Sequence, residues 1–206
     1  RHAVDGVGYR AALSDRLLVT LVLLTLGYAV LYTQAHIAIP LAMRDSGLKP
    51  SMYGLMAAIN GVLIVLLQPL FSTWLARFKR LHVLAGSWAV VGLGMALTGL
   101  ADSPWQYGVT VSVWTIGEVG TAGFVATLVS DLAPAGARGR YQGMFGWSWS
   151  ASALIGPALG ATVYGISPTI LWWGCAVLGL ACAAGAIALT PATERRRTLA
   201  LQGLQR

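Results

Sequence analysis

Charge is what this sequence has least of. Asp, Glu, Lys and Arg make up 10% of its 206 residues, where a soluble domain carries about 25%, so a water-facing globule with a packed core is excluded. Cysteine is nearly as scarce. Cys175 and Cys182 fall on one face of a helix, roughly 10 Å apart along its axis, too far for a disulfide, and read as small packing residues. The histidines are His2, His36 and His82, too few and too scattered for a metal-ligand cluster, and no phosphate-cradling glycine loop occurs. The first sixteen residues carry neither a signal-peptide pattern nor a span. They read as the end of a longer linker, so the chain is expected to be a piece of a larger protein.

What the sequence does have is long apolar runs. Six of them, Leu17 to Ile39, Met52 to Leu75, Val83 to Ala101, Gln106 to Val129, Met144 to Gly165 and Thr169 to Leu189, are each long enough to cross a hydrocarbon core of about 30 Å as a helix. The expected fold class is all-α and polytopic, with residues 1–16 as linker, 17–190 as a six-helix transmembrane unit and 191–206 as a tail. Net charge is +7, but the basic residues flank spans instead of forming the patch that nucleic acid requires. Placing the N-terminus inside puts twelve Lys and Arg inside and leaves Arg44 and Lys49 outside. The positive-inside rule therefore predicts a multi-pass protein of the cell membrane with both ends of the segment cytoplasmic.

One Asp, Glu, Lys or Arg lies within the spans: Glu118, near the middle of the fourth. A carboxylate at that depth costs about 3 kcal/mol on insertion scales and marks a pathway or proton relay. The competing reading is a permanently protonated Glu bonded to a neighbouring helix. Trp114 and Thr121 share its face, and Gly117, Gly120 and Gly123 permit another helix to approach. The first span steps Tyr28, Tyr32 and His36 at four-residue intervals; Tyr28 and Tyr32 read equally as a cavity lining for an aromatic or cationic substrate and as plain packing, whereas His36, near the outer boundary, reads as hydrogen-bonded structure ahead of a proton carrier. Asn60, Trp147 and Ser150 complete the candidate cavity set. Ser148, Ser152, Gly156 and Gly160 form a small-residue ridge with Pro157 adding a kink, and this ridge reads as close helix packing. Spans three and six have no ionisable side chains and read as helices able to face lipid. Two triplets of opposite orientation, the third helix of each peripheral, form the pattern of an inverted repeat.

Pro69-Leu-Phe-Ser-Thr-Trp-Leu-Ala-Arg-Phe-Lys-Arg80 resembles the loop after the second helix of either half of major facilitator transporters, with Ser72, Ala76 and Lys79 replacing the usual Gly, Asp and Gly. Asp131-Leu-Ala-Pro-Ala-Gly-Ala-Arg-Gly-Arg140-Tyr-Gln-Gly143 is similar to the family's loop between helices ten and eleven and is the better match. With Trp114-Thr-Ile-Gly-Glu118 before it, the run resembles the drug:proton antiporter branch. The resemblance implies the C-terminal half of a twelve-helix fold whose partners are the N-terminal half, the bilayer, protons and a small-molecule substrate, with no cofactor. It also implies that Arg77, Arg80, Asp131, Arg138 and Arg140 form a cytoplasmic gate, with Asp131 beside Arg138 and Arg140. Proton-coupled efflux of small lipophilic, cationic compounds is the expected function. A uniporter or symporter of another solute, and a non-transporting sensor, remain open. An intramembrane enzyme is set aside, because Ser148 in Gly-Trp-Ser-Trp-Ser has no His arranged to serve it.

Overall fold

The computed structural model describes residues 9–134 and 136–203. Among them the regular elements are helices: α1 (Tyr9–Ser14), α2 (Arg16–Asp45), α3 (Pro50–Leu75), α4 (Arg80–Thr98), α5 (Pro104–Thr121), α6 (Phe124–Leu132), α7 (Arg138–Ile166) and α8 (Pro168–Gly203). Hydrocarbon offers backbone groups no partner, so each crossing segment must satisfy its own amides, and a helix does so internally. The starts are chemically marked. Asp15 accepts hydrogen bonds from the Leu17 and Leu18 amides to cap α2, while Pro50, Pro104 and Pro168 open their helices where no amide donor is needed.

Five segments are long and apolar enough to span a membrane, α5 and α6 counting together as one. The sixth expected span, α7, is 29 residues long but is diluted by Gly, Ser and the polar Gln142. The boundaries of the expected tail do not mark a change in structure. Helix α8 runs through Pro191 to Gly203, and of the expected linker Tyr9–Ser14 is helical, whereas its first eight residues lie outside the described set.

Packing follows the predicted inverted repeat. Taking α2, α3 and α4 as one triplet and α5–α6, α7 and α8 as the other, the first helix of each lies against the second of its counterpart, α2 on α7 and α5 on α3. The third of each also touches the first of the other, α4 on α5 and α8 on α2, and the two third helices pack on each other. That last contact is backbone to backbone: a Cβ added to Gly92 would come within 2.9 Å of the Gly179 Cα. The expected lipid exposure of the third span needs correction as a result. Covered by α5 and α8, α4 is the most buried span, while α8 keeps an open face of Trp173, Val177, Leu180 and Ile187. Helix α3 is the exposed one, with Met56 its single buried residue.

The ends of the bundle that carry Arg80 and Arg138, here the basic end, hold a polar tie between the first and last spans. Arg196 donates to Asp15 at 2.6 Å and Tyr141 donates to the same Oδ2 at 2.7 Å. Burial works to raise the Asp15 carboxyl, but the hydrogen bonds from Arg196 and Tyr141 and the Arg196 charge outweigh it and hold the group below the usual carboxylate range. Burial and the adjacent carboxylate push the Tyr141 phenol up to about 12.

Two outcomes follow from this packing. Gly92→Ala should lower stability by about 1–3 kcal/mol, because the new methyl meets backbone that cannot swing aside; the unfolding midpoint in mixed detergent micelles measures it. Because the Asp15 pKa is lowered on folding, its contribution is complete above the unfolded value of about 3.9 and lost as pH falls through the lower folded value. Asp15→Asn should therefore be less stable than the parent at pH 7, by on the order of 1 kcal/mol, and the difference should shrink on acidification below about pH 4.

Candidate functional site

Glu118 sits one turn before the end of α5, where it meets α2 and α3. Its Oε1 accepts from the Tyr32 hydroxyl at 2.5 Å and its Oε2 from Asn60 Nδ2 at 2.7 Å. The same Asn60 nitrogen donates to Thr115 Oγ1 at 3.0 Å, and the Thr115 hydroxyl is itself spent on the Val111 carbonyl. Both donors to the carboxylate are neutral. Among the described residues no Lys, Arg or His forms an ion pair with it.

Aromatic rings surround this carboxylate. Tyr28 is fully buried, stacked between Tyr32 at 6.1 Å and Trp88 at 5.6 Å. Trp149 stands edge-on to both tyrosines, and Trp114 edge-on to Tyr32. On the basic-end side a cavity of about 190 Å³ is lined by Tyr28, Tyr32, Glu118, Thr121, Phe145 and Trp149. On the Arg44 side a smaller cavity of about 30 Å³ is lined by His36, Tyr53, Met56, Asn60 and Trp114. The Tyr32–Glu118–Asn60 cluster lies between the two.

The floor of the larger cavity is a broken helix. Ala122 closes α5 on the Glu118 carbonyl, and Gly123 turns with φ of +80° before α6 begins. This left-handed conformation is cheap only for glycine, and discontinuous helices are where transporters build midplane sites. The three glycines expected to serve helix approach therefore divide. Gly117 and Gly120 do abut Ser87 and Val91 of α4, whereas a Cβ on Gly123 would meet nothing.

Tyr28, Tyr32, Asn60, Trp114, Thr121 and Glu118 come together as one cluster. Trp147 and Ser150 do not join it: Trp147 is 56% exposed, and the exposed Ser150 bonds to the Gly146 carbonyl. The aromatic that α7 presents is Trp149, two residues and about 200° around the helix from Trp147. Trp149, Phe145 and the Gly123 break were not foreseen, although a lone glycine one turn past a midspan carboxylate is a readable signal for the break. The ridge on α7 packs against α2. Ser148 donates to the Val22 carbonyl at 3.1 Å, Gly156 faces Thr33 and Gly160 faces Gln34, and the Gly156 carbonyl beside Pro157 accepts from Gln34 Nε2. Ser152 donates to the Trp149 carbonyl, fixing the turn that carries that indole.

At the basic end Asp131 pairs with Arg80, not with Arg138 or Arg140 as the loop sequence suggests. Helix α7 begins at Arg138 and carries Arg138 and Arg140 in its first turn, and neither they nor Arg77 form an ion pair among the described residues. Lys79 pairs with Glu194 at 2.6 Å. The ties thus run from the start of α4 to the ends of α6 and α8.

Comparison with known proteins fits this architecture. The chain is 31% identical to an uncharacterized MFS-type transporter, YttB, of Bacillus subtilis, covering 79% of this chain and 43% of that protein. It is 29% identical to the multidrug resistance protein MdtH of Salmonella arizonae, with 79% and 41% covered. A Na(+), Li(+), K(+)/H(+) antiporter of Planococcus maritimus is 25% identical, with 72% and 39% covered. The chain spans about two fifths of the length of these curated relatives. With residues 13–203 matching the family as a whole, and the long helices packed as two matching triplets, this multi-pass membrane chain belongs to the Major Facilitator Superfamily.

Proposed function

We propose that the chain is the C-terminal half of a twelve-helix, proton-coupled antiporter that exports small lipophilic, cationic compounds by alternating access, with Glu118 as the proton-coupling group. The observation that carries this reading is a carboxylate at midspan held by two neutral donors, with no cation to balance it, beside an aromatic-lined cavity. Such a group has two ways to be neutralised, by a proton or by a cationic ligand, and it cannot accept both at once. Mutual exclusion at one carboxylate is the chemical basis of exchange. Aromatic faces around it favour an organic cation over a bare metal ion.

The N-terminal half is the partner this reading requires. An exposed apolar surface on α3 and α7, with Val65, Leu66, Leu70, Leu154 and Ile155, supports a docking face of that kind. The multidrug name of one relative and the antiporter name of another are consistent with this reading. Cytoplasmic placement of both ends of the segment, in the cell membrane, rests on the charge asymmetry between loops.

In inverted vesicles carrying the whole transporter, tetraphenylphosphonium should dissipate an imposed pH gradient, and Glu118→Gln should abolish the effect. Dissipation that persists unchanged in the variant would move the proton site to the other half. Dissipation by Na⁺ and not by the organic cation would shift the substrate to alkali ions.

The Arg80–Asp131 pair supplies the second test. Both side chains are partly exposed, so the pair adds little to stability, and Asp131→Asn should leave the unfolding midpoint nearly unmoved. As a latch that forms in one state and parts in the other, it should instead change turnover, by about fivefold for each 1 kcal/mol of lost state preference. Unchanged turnover would remove the latch.

A further inference from the structure

The small cavity on the Arg44 side of Glu118 has a chemistry that its packing does not explain. Trp114, which lines it, is 4% exposed, and its indole N–H is buried with no acceptor. Leaving such a donor bare costs about 1–3 kcal/mol. The cavity volume of about 30 Å³ is room enough for a water molecule, and a buried water needs two to four polar partners. The walls supply them. Asn60 spends its amide nitrogen on Glu118 and Thr115, leaving its carbonyl oxygen as an acceptor. The Tyr53 hydroxyl makes only long contacts, 3.3 Å to His36 Nδ1 and 3.5 Å to the Ala35 carbonyl.

We propose that this cavity is a water site and the route by which protons reach Glu118 from the Arg44 end, with His36 and Tyr53 as its mouth and Asn60 as the plug before the carboxylate. The inference rests on Glu118 being the proton-coupling group. His36 is exposed and takes the proton from bulk water. Its ring N–H passes a proton to the Tyr53 hydroxyl, which releases its own to the cavity water, and that water delivers one to Glu118 when the Asn60 amide swings aside from Oε2. The imidazole is left neutral, the phenol unchanged and the carboxylate converted to a carboxylic acid. Among the described residues no charged side chain lines the cavity; Tyr53 from α3 and Tyr32 from its own helix are the titratable groups that face His36. Glu118, behind Asn60, is thus the first acid on the path.

The plug has a chemical reason to move. Ionised, Glu118 accepts from Asn60 Nδ2; once Oε2 carries a proton it is a donor, and two donors then face each other. Turning the Asn60 amide to offer its carbonyl removes that conflict and withdraws the oxygen that held the water.

A pH jump on the full-length transporter in lipid nanodiscs tests the route without any substrate. The infrared carbonyl stretch of the protonated acid, assigned to Glu118 by its loss in Glu118→Gln, reports arrival of the proton. Tyr53→Phe and His36→Gln should each slow its appearance by about tenfold or more while leaving the midpoint pH and the final amplitude unchanged. The amplitude counts folded protein, so a misfolded variant cannot imitate a slow one. An unchanged rate overturns the route. So does a shifted midpoint at an unchanged rate, which reduces His36 to an electrostatic neighbour. Absence of the band from the parent protein removes Glu118 as a titrating group and defeats the proposed function before the route is reached.

Discussion

A single uncompensated carboxylate organises this half-bundle. Glu118 stands where the surroundings are hydrocarbon and aromatic rings, and the two donors that reach it come from different helices, Tyr32 on α2 and Asn60 on α3. Neither donor brings a positive charge, so the group is hydrogen-bonded without an ion-pair partner among the described residues. A buried ion pair there would fix one protonation state and require a much larger perturbation to break. Hydroxyl and amide donors hold the geometry while leaving the charge state open.

Holding that geometry demands stiffness elsewhere. Small residues provide it by letting backbones touch: Gly92 on Gly179 between α4 and α8, Gly117 on Ser87 between α5 and α4, and Gly156 on Thr33 between α7 and α2. In lipid there is no hydrophobic gain from bringing two apolar helices together, so close van der Waals contact and interhelical hydrogen bonds must do it. With Gly27 on Cys182 between α2 and α8, these contacts join α2, α4, α5, α7 and α8 into one packed body. Helix α3 packs on it through α5 and keeps its outer face exposed.

Five of the six expected spans could be read directly, because about twenty predominantly apolar residues admit few alternatives. Glu118 was legible because it is the lone Asp, Glu, Lys or Arg in them. Its partners were not. Tyr32 and Asn60 lie 86 and 58 residues away in sequence, and the rotation of a helix that is apolar all round carries no amphipathic stripe to show which side faces inward. That same blindness separates Trp149 from Trp147, and it sent α4 toward lipid when its glycines belong against α8. At the basic end the loop order of Asp131, Arg138 and Arg140 suggested a local cluster. Helix geometry overrides it: Arg138 and Arg140 begin a new helix after a turn at Gly136, and the carboxylate reaches across to Arg80 instead.

Helix α3 links the chemistry to the packing. Its polar ties to the rest of the bundle are those of Tyr53 to His36 and Ala35, and those of Asn60 to Thr115 and Glu118. Of these, the charge-assisted bond to Glu118 is the shortest at 2.7 Å, and bonds to an ionised group are about twice as strong as neutral ones. Protonating Glu118 removes that advantage and turns an acceptor into a donor, weakening the strongest polar link between α3 and the packed body. A helix with one buried residue has little apolar burial to replace it. On the proposal that Glu118 takes the coupling proton, a change in its charge acts directly on its bond to Asn60 and so on the seating of α3 against α5.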